Sequence, residues 1–94
     1  MDTINTLTKI VLRLYSETDG YMNDQSDVQL WYNRGYANGI VSALRSKNLF
    51  TAASLNIPLD DEELHQGQNF MEWEKAYHHG FEMGQREASE VLPA

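Results

Sequence analysis

The sequence predicts an all-α fold, a small helical domain of three main helices with a glycine-grooved helix pair. Three observations predict it. Apolar residues recur at three- and four-residue intervals along most of the chain, no alternating run is long enough for a strand, and small residues recur at four-residue steps in two places. The 94 residues, 41% hydrophobic and 22% charged, match one soluble globular domain over 1–94. A chain of this size hides roughly 60–65% of the surface it exposes unfolded. It builds one modest core, has little room for a deep pocket, and stands to gain stability from a partner or a second copy.

The first helix is predicted over residues 4–16, where Ile4, Leu7, Ile10, Val11, Leu14 and Tyr15 form one apolar stripe with Asp2 or Thr3 as cap. Residues 16–24, with Gly20 inside, are rich in turn formers and read as a loop closed by Asp24 or Ser26 as the next N-cap. A second helix is predicted over residues 26–47, with Val28, Trp31, Tyr32, Gly35, Tyr36, Ile40, Ala43 and Leu44 as a wide stripe. Arg45 and Lys47 suit the negative end of its dipole. Residues 48–58 read as a connection that Pro58 keeps from continuing as helix. Asp60 and Glu63 have capping-box spacing, and a third helical period, with a break at Gly67 allowed for, then runs to about Val91.

The most informative local feature is a repeat. Tyr32-x-x-Gly35-Tyr36-x-x-Gly39-x-x-x-Ala43 returns 45 residues later as Tyr77-x-x-Gly80-Phe81-x-x-Gly84-x-x-x-Ala88. Small residues at i, i+4 and i+8 cut a shallow groove into one helix face, with aromatic shoulders. Four glycines inside helices cost about 4 kcal/mol relative to alanine, which close packing or a functional backbone approach must offset. The two grooves could face each other or the first helix. Alternatively, one groove stays open for a partner helix or a second subunit, with Trp31 or Trp73 as aromatic anchor.

Charge narrows the function classes. The net charge is −7, and all of it belongs to the back half. Residues 1–50 balance five acids with five bases, whereas residues 51–94 carry nine acids against Lys75 and Arg86. This excludes simple electrostatic binding of nucleic acid or anionic membrane. No cysteine is present, so a disulfide framework and thiolate metal sites are excluded. Neither a secretory pattern nor an apolar span is seen, and a cytoplasmic protein is expected.

Chemistry-bearing clusters are few. Glu74, His78 and Glu82 share a helix face at four-residue steps, with only the distant His65 as a further ligand. Salt bridging or a pH response accounts for them better than a metal. The acidic run Asp60, Asp61, Glu62 and Glu63 suits a helix start. Ser42, Ser46 and Ser54 lack a nucleophile context, and the glycines fall at helical intervals rather than in a phosphate-binding turn. No catalytic residue, metal or cofactor is expected.

Arg34-Gly35-Tyr36-Ala37-Asn38-Gly39-Ile40, followed by Arg45-Ser46-Lys47, resembles the first helix of ribosome modulation factor over about fourteen residues. That family is a small helical protein that binds and silences ribosomes. The resemblance implies a related helix pair, with Arg34, Gly35, Tyr36, Gly39, Ile40, Arg45, Ser46 and Lys47 at the motif positions.

Two functions are therefore expected from the sequence. The first is a small acidic, non-enzymatic inhibitor or adaptor of phage or mobile-element type. It would dock on a basic surface of a host nucleic-acid-processing machine, with Asp60, Asp61, Glu62, Glu63, Glu72, Glu74 and Glu82 standing in for phosphates. Trp31 and Trp73 would anchor it, while Gly35, Gly39, Ala43, Gly80, Gly84 and Ala88 pack the helix pair. The second is a ribosome-associated or stress modulator that needs Arg34, Arg45 and Lys47 exposed together. A homodimer is compatible with either.

Overall fold

A computed structural model describes residues 3–49, 58–60 and 71–92. Among them the architecture is all-α: α1 (Thr3–Glu17), a 3-10 turn (Tyr21–Asn23), α2 (Val28–Ser46) and α3 (Glu72–Val91), with no strand. Residues 61–67, where the sequence places the start of the third helix and its break at Gly67, lie outside the described residues, as do Asp2 and residues 51–57.

The helix ends follow local side-chain chemistry. Gly20 takes the left-handed conformation at φ 76° where the chain turns out of α1, at no Cβ cost. α2 begins at Val28 because Asp27, rather than Asp24 or Ser26, accepts from the Leu30 amide at 3.3 Å. Ser26 instead donates to the Asp24 carboxylate. At the far end Asn48 adopts φ 57°, the Asn48 amide donates to the Arg45 carbonyl and the Leu49 amide to the Leu44 carbonyl. This is a Schellman stop with asparagine where glycine is usual, and Leu49 closes it by packing on the core. Met71 caps the start of α3, its amide donating to the Glu74 carboxylate at 3.2 Å.

α1 and α2 form an antiparallel hairpin, since Arg34, in the first half of α2, donates to the Tyr15 carbonyl near the end of α1. Leu7, Val11, Leu14 and Tyr15 pack there against Ala37, Ile40, Val41 and Leu44. A second cluster, Tyr21, Trp31 and Tyr77 with Trp73 at its edge, fills the end where α2 and α3 begin.

α2 and α3 lie parallel, groove against groove. A Cβ on Gly35 would fall onto the Tyr77 carbonyl, 2.9 Å from its carbon, and one on Gly39 would meet the Phe81 carbonyl and come within 2.7 Å of the Gln85 nitrogen. The reverse contacts repeat the pattern: Gly80 faces the Tyr32 carbonyl and Gly84 the Tyr36 carbonyl, each 2.9 Å from the carbonyl carbon. Adding 45 to the residue numbers of one half of this interface generates the other. The two helices are thus related by a pseudo-two-fold axis running along the pair. Where a side chain would clash, a glycine Cα–H points at a carbonyl oxygen instead. Four such contacts, at about 0.5–1 kcal/mol each, are comparable with the helix-propensity cost of the four glycines.

The symmetry stops at the outer faces. α2 offers Ala37, Val41 and Leu44 to α1, all at most 4% exposed. Their pseudo-mates on α3 are Glu82, Arg86 and Ser89, all exposed. Only α2 therefore has an apolar stripe for α1.

Candidate functional site: a buried polar latch and an exposed acidic helix

The densest polar constellation centres on Asp60. Asp60 lies in the chain between α2 and α3, and its carboxylate accepts from Arg34 Nε at 2.9 Å, Asn38 Nδ2 at 2.9 Å and the Tyr21 hydroxyl at 3.1 Å. Arg34 Nη2 reaches the second oxygen at 3.4 Å, and the side chains of both partners are 12% exposed. The two remaining sides of Arg34 are also taken. Nη1 donates to Thr18 Oγ1 at 2.7 Å, and the guanidinium stacks over the Tyr15 ring at 3.7 Å and the Tyr21 ring at 4.6 Å. The Tyr15 hydroxyl donates to Asn38 Oδ1 and accepts from the Asp60 amide, while Asn38 also donates to the Tyr77 hydroxyl at 2.7 Å. Asp60, Arg34 and Asn38 thereby link α1, α2, α3 and the connection between α2 and α3 in one network.

The electrostatics match this geometry. Burial pushes the Asp60 carboxyl up, but hydrogen bonds from Arg34 and then Asn38 outweigh it and hold it below the ordinary carboxylate value. Arg34 is driven the other way. Burial lowers it, and the bond and charge of Asp60 more than restore it, leaving it above the usual arginine value. The Tyr77 phenol is pushed up to about 12, chiefly by burial, and Tyr15 and Tyr21 rise for the same leading reason.

Beside the latch lies an open cleft of about 310 Å³ lined by Leu12, Tyr15, Ser16, Asp19, Arg34 and Pro58. Its one cation is already bonded to Asp60, Thr18 and Tyr15. The described residues bring no nucleophile and base together there, and no group of three metal-ligating side chains occurs among them.

Two residues expected to meet a partner face inward instead. Trp31 is 2% exposed, its indole N–H donating to the Asp24 carbonyl at 3.1 Å and its ring packed edge-on to Tyr21. It is not an anchor for a partner, because the aromatic cluster at the start of α2 needs its volume. Asp60 is likewise a latch rather than a surface carboxylate, since Arg34 offers it a paired and hydrogen-bonded site inside. Trp73 is half-buried, lies at 4.3 Å from the Trp31 ring, and leaves its indole N–H without a partner among the described residues.

The other acidic positions divide three ways. Asp61, Glu62 and Glu63 lie outside the described residues. Glu74 is spent on the start of α3. Glu72 and Glu82 are exposed, as is Glu90, and none of the three makes an ion pair among the described residues. Gly35, Gly39, Gly80 and Gly84 sit in the α2–α3 interface, and Ala43 and Ala88 are buried with the core. His78, set aside as a metal ligand, meets the Tyr77 ring edge-on, and its neighbour His79 meets the Tyr32 ring the same way.

The latch itself had a sequence signal only in part. Arg34 and Asn38 stand at i and i+4 on the face that also carries Ala37 and Val41, an unusual place for two polar residues. That spacing marks them as a pair but does not name Asp60 as their partner. No described helix is long and apolar enough to cross a membrane. Comparison with protein-family models, with curated proteins and with solved structures finds no match to this chain.

Proposed function

We propose that the protein is a small acidic, non-enzymatic interaction protein, an inhibitor or adaptor that docks on a basic surface of a nucleic-acid-processing machine. The observation that carries this reading is the outward face of α3. Glu72, Glu82 and Glu90 are exposed and without ion pairs among the described residues, on a helix held rigidly by its glycine contacts with α2. At 1.5 Å per residue the three carboxylates spread over about 27 Å of helix. Exposed charges of this kind raise encounter rates with a basic partner and compete with phosphates for the same cations.

The second reading, a ribosome-associated modulator, has less support. It calls for Arg34 at the surface with Arg45 and Lys47, and the Arg34 guanidinium is engaged by Asp60, Thr18 and two tyrosine rings.

The test is retention of a nucleic-acid enzyme from nuclease-treated bacterial lysate on the tagged protein, with release by rising salt and by added duplex DNA. The variant E72K/E82K/E90K is expected to retain none of it. Equal retention by that variant, or recovery of ribosomal particles instead, would overturn the proposal.

A further inference from the structure

Asn38 is the one asparagine of the chain that glycine follows. In an open chain that dipeptide is self-reactive, because glycine carries no side chain to hinder its backbone nitrogen, which reaches the asparagine carboxamide carbon through a five-membered ring. In the fold both reacting groups are held. Gly39 lies within α2, where its amide belongs to the helix ladder, and its α-carbon is seated against the Phe81 carbonyl. The Asn38 carboxamide is bonded on both polar atoms. Nδ2 donates to Asp60 at 2.9 Å and to the Tyr77 hydroxyl at 2.7 Å, and Oδ1 accepts from the Tyr15 hydroxyl. Cyclisation has to break these three bonds, strip the Gly39 amide from the ladder and turn the Asn38 backbone out of helical ψ.

We infer that Asn38–Gly39 is a latent deamidation site, closed by the fold and opened by unfolding, whose conversion makes loss of the fold permanent. The Gly39 backbone nitrogen attacks Asn38 Cγ; the N–Cγ bond forms, the Cγ–Nδ2 bond breaks, and ammonia leaves with the amide proton. Water then opens the succinimide at either carbonyl, giving aspartate or isoaspartate with no change of oxidation state. Neither product fits the latch. Aspartate sets a second carboxylate against Asp60 where a donor stood at 2.9 Å, and the neighbouring cation, Arg34, is already bonded to Asp60. Isoaspartate inserts a methylene into the α2 backbone, one residue before a glycine packed so closely that a Cβ there would come within 2.7 Å of the Gln85 nitrogen. Excursions from the fold thus become irreversible in proportion to the time spent open.

The experiment holds the full-length protein at mildly alkaline pH, in buffer and in denaturing urea. Peptide mapping with fragmentation that separates aspartate from isoaspartate then locates each amide-to-acid conversion. In urea Asn38 is expected to convert ahead of the other six asparagines, all of which bulkier residues follow. In buffer it is expected to convert at least about a hundredfold more slowly, and at urea concentrations below the unfolding midpoint its rate should climb with the open fraction. After dilution from urea, unconverted chains should regain their helicity and converted chains should not. Asn38→Asp, which writes one product in directly, should unfold at distinctly lower urea than the wild type or fail to fold. Equal rates in buffer and in urea, or an Asn38 that stays intact in urea, would overturn the inference. Converted chains that refold with the wild-type midpoint, or an Asn38→Asp variant with that midpoint, would overturn it as well.

Discussion

Replacing Gly80 with alanine poses a sharp test of the helix pair. On an isolated helix the change would stabilise by about 1 kcal/mol. Here the new methyl would fall onto the Tyr32 carbonyl, 2.9 Å from its carbon and 3.1 Å from the Tyr36 nitrogen. Those are backbone atoms, which cannot swing aside as a side-chain tip would. Restoring ordinary contact needs the helices to part by roughly 1 Å, which loosens every other contact along the interface. Overpacking of this kind costs about 1–3 kcal/mol, and the Cα–H···O contact is also lost. A net loss of about 2 kcal/mol lowers Tm by roughly 8–16 °C for a domain of this size. Gly35→Ala should cost the same within about 0.5 kcal/mol, because Gly35 and Gly80 face each other's helix at one level and are pseudo-mates. The double variant should cost distinctly less than the sum, since helices already parted for one methyl admit the second without further loss. Thermal denaturation followed by circular dichroism gives all three values. A rise in Tm for either single variant, or simple additivity in the double, would refute the close parallel packing.

Arg34→Met leaves the Asp60 carboxylate buried without its cation and should destabilise by about 3 kcal/mol, whereas Arg34→Met with Asp60→Leu should recover most of that loss; urea denaturation of the two variants decides it. pH enters from both ends. Because the folded Asp60 carboxyl titrates below its ordinary value, its stabilisation is present above the unfolded carboxylate pKa of about 4 and disappears as pH falls through the lower, folded value. Asp60→Asn should flatten that limb of the stability curve. The tyrosines act in the opposite sense. Tyr36, with its hydroxyl donating to Glu87 at 2.9 Å, is pushed up to about 12 by burial and then by that carboxylate, and Tyr77 to about 12 by burial. Their stabilisation is complete below the unfolded phenol value of about 10 and is lost as pH climbs through the folded values, so absorbance at the tyrosinate band should rise together with loss of helicity. In a Tyr32→Phe background, which leaves only the four tyrosines that burial raises, tyrosinate appearing near pH 10 with helicity intact would contradict this.

What the sequence made legible was what has a period. The stripes of Leu7, Val11 and Leu14, and of Ile40 and Leu44, announce buried helix faces through their spacing. The glycine repeat announces a groove, because four unfavourable residues at four-residue steps need a backbone neighbour. Spacing within one helix cannot say whether that neighbour is the other groove or α1, and this choice rests on tertiary geometry. The latch was illegible for a related reason. Asp60 meets Arg34 across 26 residues, and a side-chain bond at that separation leaves no periodic mark. Asp60 stands first in a run of four acids, so capping and solvation account for it equally well on sequence grounds. Trp31 misled for another reason. An aromatic shoulder beside a groove serves as partner anchor or as core, and only the arrival of Tyr21 and Trp73 on its ring decides between them.

The parallel course of α2 and α3 also bears on how the chain folds. Their contacts join residues some 45 positions apart, so the interface cannot reward the chain until a long loop has closed. The α1–α2 hairpin closes a shorter loop, since the Arg34–Tyr15 bond spans 19 residues and the Tyr15–Asn38 bond 23. Asp60 divides the remaining search. Once the hairpin presents Arg34, Asn38 and the Tyr15 hydroxyl, the connection can be caught at its middle, and α3 is then delivered from a tether of about twelve residues rather than from the end of α2. Loss of the Asp60 carboxylate would on this account slow refolding as well as speed unfolding, giving the latch a share in the transition state and not only in the finished fold.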